Sequence, residues 1–99
     1  MMTIKEFSDA VAARVRGSDN GLGSQISYDK ATRKWRRGRL TVTLSSIEGR
    51  AQITYIAADV GGPMGHTSSS LLPHALDQNQ VDLVAKEVVS LVTNRFLYE

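Results

Sequence analysis

Apolar residues recur along this chain with two different periods, and the switches between them lay out the fold. Ile4, Phe7, Val11 and Val15, with Ala10 beside them, stand three and four residues apart and make one helical stripe. Thr3 and Glu6 form a capping box at its start, and Gly17 follows Arg14 and Arg16 at its end, so a helix is predicted over 4–16. Gly17–Gly23 holds three glycines among small polar residues and reads as a flexible connection. It has neither the glycine spacing nor the Lys-Ser/Thr pair of a nucleotide-binding loop. From Gln25 the period shortens to two. Gln25–Asp29 alternates; then Leu40, Val42 and Leu44 point one way while Arg39, Thr41, Thr43 and Ser45 point the other. Ser46–Gly49 makes a tight connection into Ala51–Ala58, where Ile53 and Tyr55 face inward and Gln52 and Thr54 outward. Helical spacing returns with Asp77 as N-cap and Gln80 three residues on, followed by Val81, Val84, Val88, Leu91 and Val92 and widening to Val89, Phe96 and Leu97. This second helix is more apolar than a surface helix needs. It reads as a central core helix, and the alternative gives part of its face to a homodimer.

Trp35 is the one large apolar residue that the strand period misplaces. A strict two-residue alternation back from Leu40 puts it on the threonine face. One extra residue at Gly38, a bulge within a single second strand, turns it inward and leaves Lys34, Arg36 and Arg39 outside. Without that bulge Trp35 stands among Arg33, Arg37 and Arg39 as an exposed stacking platform. A lone Trp in a small domain is more often core. On this reading Arg36 and Arg37 are dispensable to the inward stripe.

Asp29-Lys30-Ala31-Thr32-Arg33-Lys34 has the composition of a hairpin loop. Over Tyr28 to Trp35 it resembles the C-terminal hairpin of the immunoglobulin-binding domain of protein G. The resemblance concerns turn chemistry and implies no shared function. It implies that Asp29 faces Lys34 and that Tyr28 faces Trp35, an aromatic cross-strand pair of a kind that contributes roughly 0.2–1 kcal/mol.

The expected fold is therefore α+β: a single domain over 1–99, two layers in the order α-β-β-β-α, with a three-stranded antiparallel sheet and both helices on one face. The second face is expected to stay wet, lined by Thr41, Thr43, Gln52 and Thr54. This order resembles that of double-stranded RNA-binding domains. Those domains begin their second helix with a lysine-rich motif, however, where this chain has Asp77-Gln-Asn-Gln-Val-Asp82, so none of their binding residues carries over. Val60–Leu76, with its glycines, serines and prolines, shows no period and reads as a long irregular loop, the least protected internal region. Asp59, His66, Ser68, Ser69, Ser70 and His74 invite comparison with a hydrolase triad or a metal site. They lack the nucleophile elbow, the His-x-x-x-His spacing and any cysteine, so neither an enzyme nor a metal or cofactor site is expected.

Composition adds little until charge is mapped onto position. The 99 residues are 41% hydrophobic and 22% charged, the composition of a globular domain with no membrane span. The N-terminus lacks the unbroken apolar run of a secretory signal, and the absence of cysteine fits a cytoplasmic setting. The formal charge of +2 hides a strong asymmetry. Lys30, Arg33, Lys34, Arg36, Arg37 and Arg39 put six of the twelve basic residues, together with Trp35, within ten positions that contain no acid. Such a block recruits anionic partners. Two non-enzymatic readings follow. The first is a nucleic-acid-binding module holding phosphates with these residues and reading bases little. The second is a protein-binding adaptor or inhibitor, of the kind mobile elements encode, docking the same patch on an acidic protein surface.

Overall fold

The computed structural model describes residues 2–17, 26–57 and 66–94. The first helix, α1 (Ile4–Gly17), starts on its capping box: the Glu6 amide donates to Thr3 Oγ1 at 3.1 Å, and the Thr3 amide donates to Glu6 Oε1 at 3.0 Å. These bonds from Thr3, the backbone one foremost, hold the Glu6 carboxyl below its ordinary pKa. Phe7, Val11, Ala12 and Val15 are buried along the expected stripe. Ser8 is buried too, and its Oγ lies 2.6 Å from the Tyr28 hydroxyl, which ties α1 to the edge of the sheet.

Five antiparallel strands follow, β1 (Ser27–Asp29), β2 (Lys34–Arg37), β3 (Leu40–Ile47), β4 (Arg50–Ala57) and β5 (His66–Ala75), and they lie side by side in chain order. The expectation of three strands is corrected at two places. What the sequence presents as one bulged strand from Lys34 to Ser45 is a hairpin, because Arg37 pairs with Leu40 and leaves Gly38-Arg39 as the whole loop. Gly38 has φ 57° while Arg39 keeps a negative φ, the requirement of a type II′ turn, whose twist matches that of the flanking strands. Trp35 and Leu40 both face inward because the chain reverses between them. The second correction is β5, which occupies most of the expected loop; residues 60–65 of that loop lie outside the described residues. β5 is an edge strand bonded to β4 from Gln52↔Leu71 to Ala57↔His66. Its place comes from the backbone ladder, so its serines need no apolar alternation. Pro73 falls where the register shifts between Gln52 and Arg50, and the Arg50 Nε there donates to the Leu72 carbonyl at 3.1 Å. With five strands, the likeness in order to double-stranded RNA-binding domains lapses.

The other two turns are equally local. Asp29 pairs with Lys34 and Tyr28 with Trp35, as the hairpin resemblance implies. Asp29 Oδ1 accepts from the Ala31 amide at 2.9 Å, and Arg33 closes the loop in the left-handed region at φ 55°. Glu48 and Gly49 both have positive φ, 52° and 76°, which is a type I′ turn.

The second helix begins later than expected. A 3₁₀ turn (Gln78–Gln80) precedes α2 (Val81–Val92), and the Asp77 side chain makes no capping bond. The continuation to Phe96 and Leu97 lies outside the described residues. Val81, Val84, Ala85, Val88 and Val92 are buried with the α1 stripe and with Trp35, Leu40, Val42, Leu44, Ala51, Ile53 and Ala57 in one core. Both helices thus pack on one face of the sheet, and Leu83 alone among the large apolar residues of α2 is well exposed. An exposed ion pair, Arg14 Nε to Asp82 Oδ1 at 3.1 Å, joins the helices and contributes at most about 1 kcal/mol.

Candidate nucleic-acid interface

Strand alternation divides the basic block between two faces. Lys34 and Arg36 point outward from β2, and Trp35 and Arg37 point inward. Lys30 is exposed at the tip of the first hairpin, and Arg39 sits half-buried at the corner between β2 and β3. Arg33 is half-buried, with its Nε donating to the Leu44 carbonyl at 3.1 Å.

The two inward residues depart from the surface role that the sequence gives the block. Trp35 is 1% exposed, its ring centroid 4.7 Å from that of Tyr28 at an interplanar angle of 35°. Its π-face is covered by the core and by Tyr28, which removes the stacking-platform alternative. Arg37 is 9% exposed, and its guanidinium donates to the carbonyl of Val92, at the end of α2. The last carbonyls of a helix have no partner within it and carry its negative partial charge, so a buried guanidinium there is both paired and favourably placed. Arg37 is thus a structural cation, and the view that it is dispensable to the fold is corrected.

Strand register brings in residues from outside the block. Lys34 lies beside Thr43, Thr43 beside Thr54 and Thr54 beside Ser69, while Arg36 lies beside Thr41, Thr41 beside Ile56 and Ile56 beside Thr67. Two rows therefore cross the uncovered face from a cation on β2, the first running through hydroxyls alone and the second interrupted by Ile56. Thr54 Oγ1 and Ser69 Oγ are 2.6 Å apart, and Ser45 Oγ donates to Gln52 Oε1 at 3.1 Å. The threonines of β3 and β4 were legible as a wet face, but Thr67 and Ser69 were not, because their strand carries no alternation. One acid tempers the patch: Asp29 sits directly across from Lys34. Its carboxyl is held below its ordinary pKa, chiefly by the Thr32 hydroxyl and the Ala31 amide, with a smaller contribution from Arg36.

Two of the residues weighed for catalysis are bonded outside any triad, and Asp59 is not among the described residues. Ser69 meets Thr54, and His74 Nδ1 lies 3.1 Å from Gln80 Oε1. No group of three or more metal-ligating side chains gathers among the described residues. A groove of about 710 Å³ between α1 and α2 is lined by Ala13, Arg14, Gly17, Ala85, Lys86 and Val89, among others. No helix among the described residues is long and apolar enough to cross a membrane. Comparison with protein-family models, with curated proteins and with solved structures finds no match.

Proposed function

We propose that this is a small non-enzymatic binding protein that engages nucleic-acid phosphates on the outer face of β2 and its flanking turns. Lys30, Arg33, Lys34, Arg36 and Arg39 are the cations, and Thr41 and Thr43 are hydroxyl donors beside them. The observation that carries this reading is the register: Lys34 with Thr43 and Arg36 with Thr41, on a face that neither helix covers. Ammonium, guanidinium and hydroxyl groups side by side are the usual donors to phosphate oxygens. The outer face of the described strands bears no aromatic ring, which favours backbone contact over base stacking.

Titration against unrelated duplex and single-stranded oligonucleotides at several salt concentrations tests it. Each neutralised phosphate contributes about −0.9 to the slope of log affinity against log salt on duplex and about −0.7 on single strands. A total of about −2 to −4 is expected on duplex, flattened by one to two in the double variant Lys34→Ala/Arg36→Ala. Arg37 is left intact because its loss acts on the fold. Failure of the wild type to bind at low salt removes the phosphate reading. It leaves the adaptor or inhibitor reading, in which the same cations meet an acidic protein surface; Ile56 and Leu71, 49% and 44% exposed on the same sheet face, favour that alternative.

A further inference from the structure

We infer that the free edge of β5 is a pairing surface for β5 of a second copy of this chain. β5 is the last strand of the sheet, and among the described residues nothing pairs with its outer side. Sheets ordinarily protect such an edge by keeping the strand short, by placing charges on it, or with proline and bulges. The opposite edge follows that rule, since β1 has three residues and ends on Asp29. β5 runs for ten residues, His66-Thr-Ser-Ser-Ser-Leu-Leu-Pro-His-Ala75, without one Asp, Glu, Lys or Arg. Its Pro73 and register shift guard only the C-terminal end, so Thr67–Leu71 is a regular, exposed and uncharged edge.

The segment is also self-complementary. In an antiparallel pair with its twofold axis at Ser69, Ser69 faces its own copy and Thr67 faces Leu71 of the second chain. Thr67 already lies beside Ile56 on β4. The pairing therefore sets Leu71 of one copy in a row with Thr67 and Ile56 of the other. Leu71, one of the four large apolar side chains that are most exposed, thereby gains Thr67 of the other copy as a cross-strand neighbour, and the operation does so twice by symmetry. No charge on either strand opposes the approach, and the cations of β2 lie three strands away. The contact is one strand wide, well short of a standard interface, so the dimer is reversible and concentration-dependent.

The absence of cysteine from the sequence makes the test clean. Light scattering or sedimentation of the full chain should show mass rising from one chain towards two at high micromolar concentration. Ser69→Lys, which sets like charges against each other at the axis, should hold it at one chain while circular dichroism stays unchanged. Should that variant misfold, Ser69→Cys decides: mild oxidation should give a disulfide-linked dimer, whereas Ser27→Cys on β1 should stay a single chain. A one-chain mass at every concentration, a dimer indifferent to Ser69→Lys in a folded variant, or equal cross-linking from both cysteines would each overturn the pairing. Oligonucleotide affinity is read separately and does not bear on this outcome.

Discussion

The sheet has two edges that are held in place by different means. β1 is anchored through side chains: Tyr28 packs on Trp35, and its hydroxyl reaches the buried Ser8 and, at 3.3 Å, Asp9 of α1. β5 is anchored through its backbone ladder to β4, and its exposed residues bury little. The difference teaches that strand length is no measure of attachment. The shorter edge is pinned by the core, and the longer one chiefly by its row of amide bonds, with side-chain bonds added at Ser69 and His74.

Substitutions can break this contrast in order of expected effect. Trp35→Ala removes the aromatic floor of β1 from a fully packed site and should cost about 3–5 kcal/mol in denaturant unfolding. A cost under about 1 kcal/mol would mean that the ring is not part of the core. Proline placed in turn at Thr67, Ser68, Ser69 and Ser70 should give alternating costs, about 1–3 kcal/mol where an amide facing β4 is lost and little where it faces outward. Uniform costs would contradict backbone anchoring of β5. Tyr28→Phe leaves the buried Ser8 hydroxyl without its partner and should cost about 1 kcal/mol. It should also change the alkaline limb. Burial, above all, raises the Tyr28 pKa over its ordinary value of 10.0, so the unfolded chain loses that proton first. The stability Tyr28 contributes is fully present below pH 10 and is lost as pH rises through the higher folded value, and the phenylalanine variant should lack that decline. Smallest of all, Leu71→Ser on β5 should stay within about 0.5 kcal/mol in the monomer.

Legibility in the sequence followed the same division. The capping box at Thr3 and Glu6 and the hairpin from Asp29 to Lys34 are made by residues within a few positions of each other, and their chemistry is written locally. Gly38 was visible as a point of departure from regular strand. Positive φ serves a bulge and a hairpin corner alike, however, and the choice rests on Trp35 pairing with Val42, a tertiary fact. β5 was hidden because an edge strand held by its backbone needs no hydrophobic signature. Within the candidate site, Lys34 and Arg36 were legible as outward cations. Arg37 was not, since what buries it is a helix end far along the chain.

That last contact also bears on the order of folding. Each strand pairs with its sequence neighbour, so the sheet can grow hairpin by hairpin at small loop-closure cost. The bond from Arg37 to Val92 spans 55 residues and joins the second strand to the final turn of α2. It can form only after the intervening sheet has brought the two ends together. Arg37→Met should accordingly speed unfolding and leave the refolding rate nearly unchanged, with a φ-value near zero. The guanidinium would then act as a late bolt, setting how long the native state lasts once reached rather than how fast it is found.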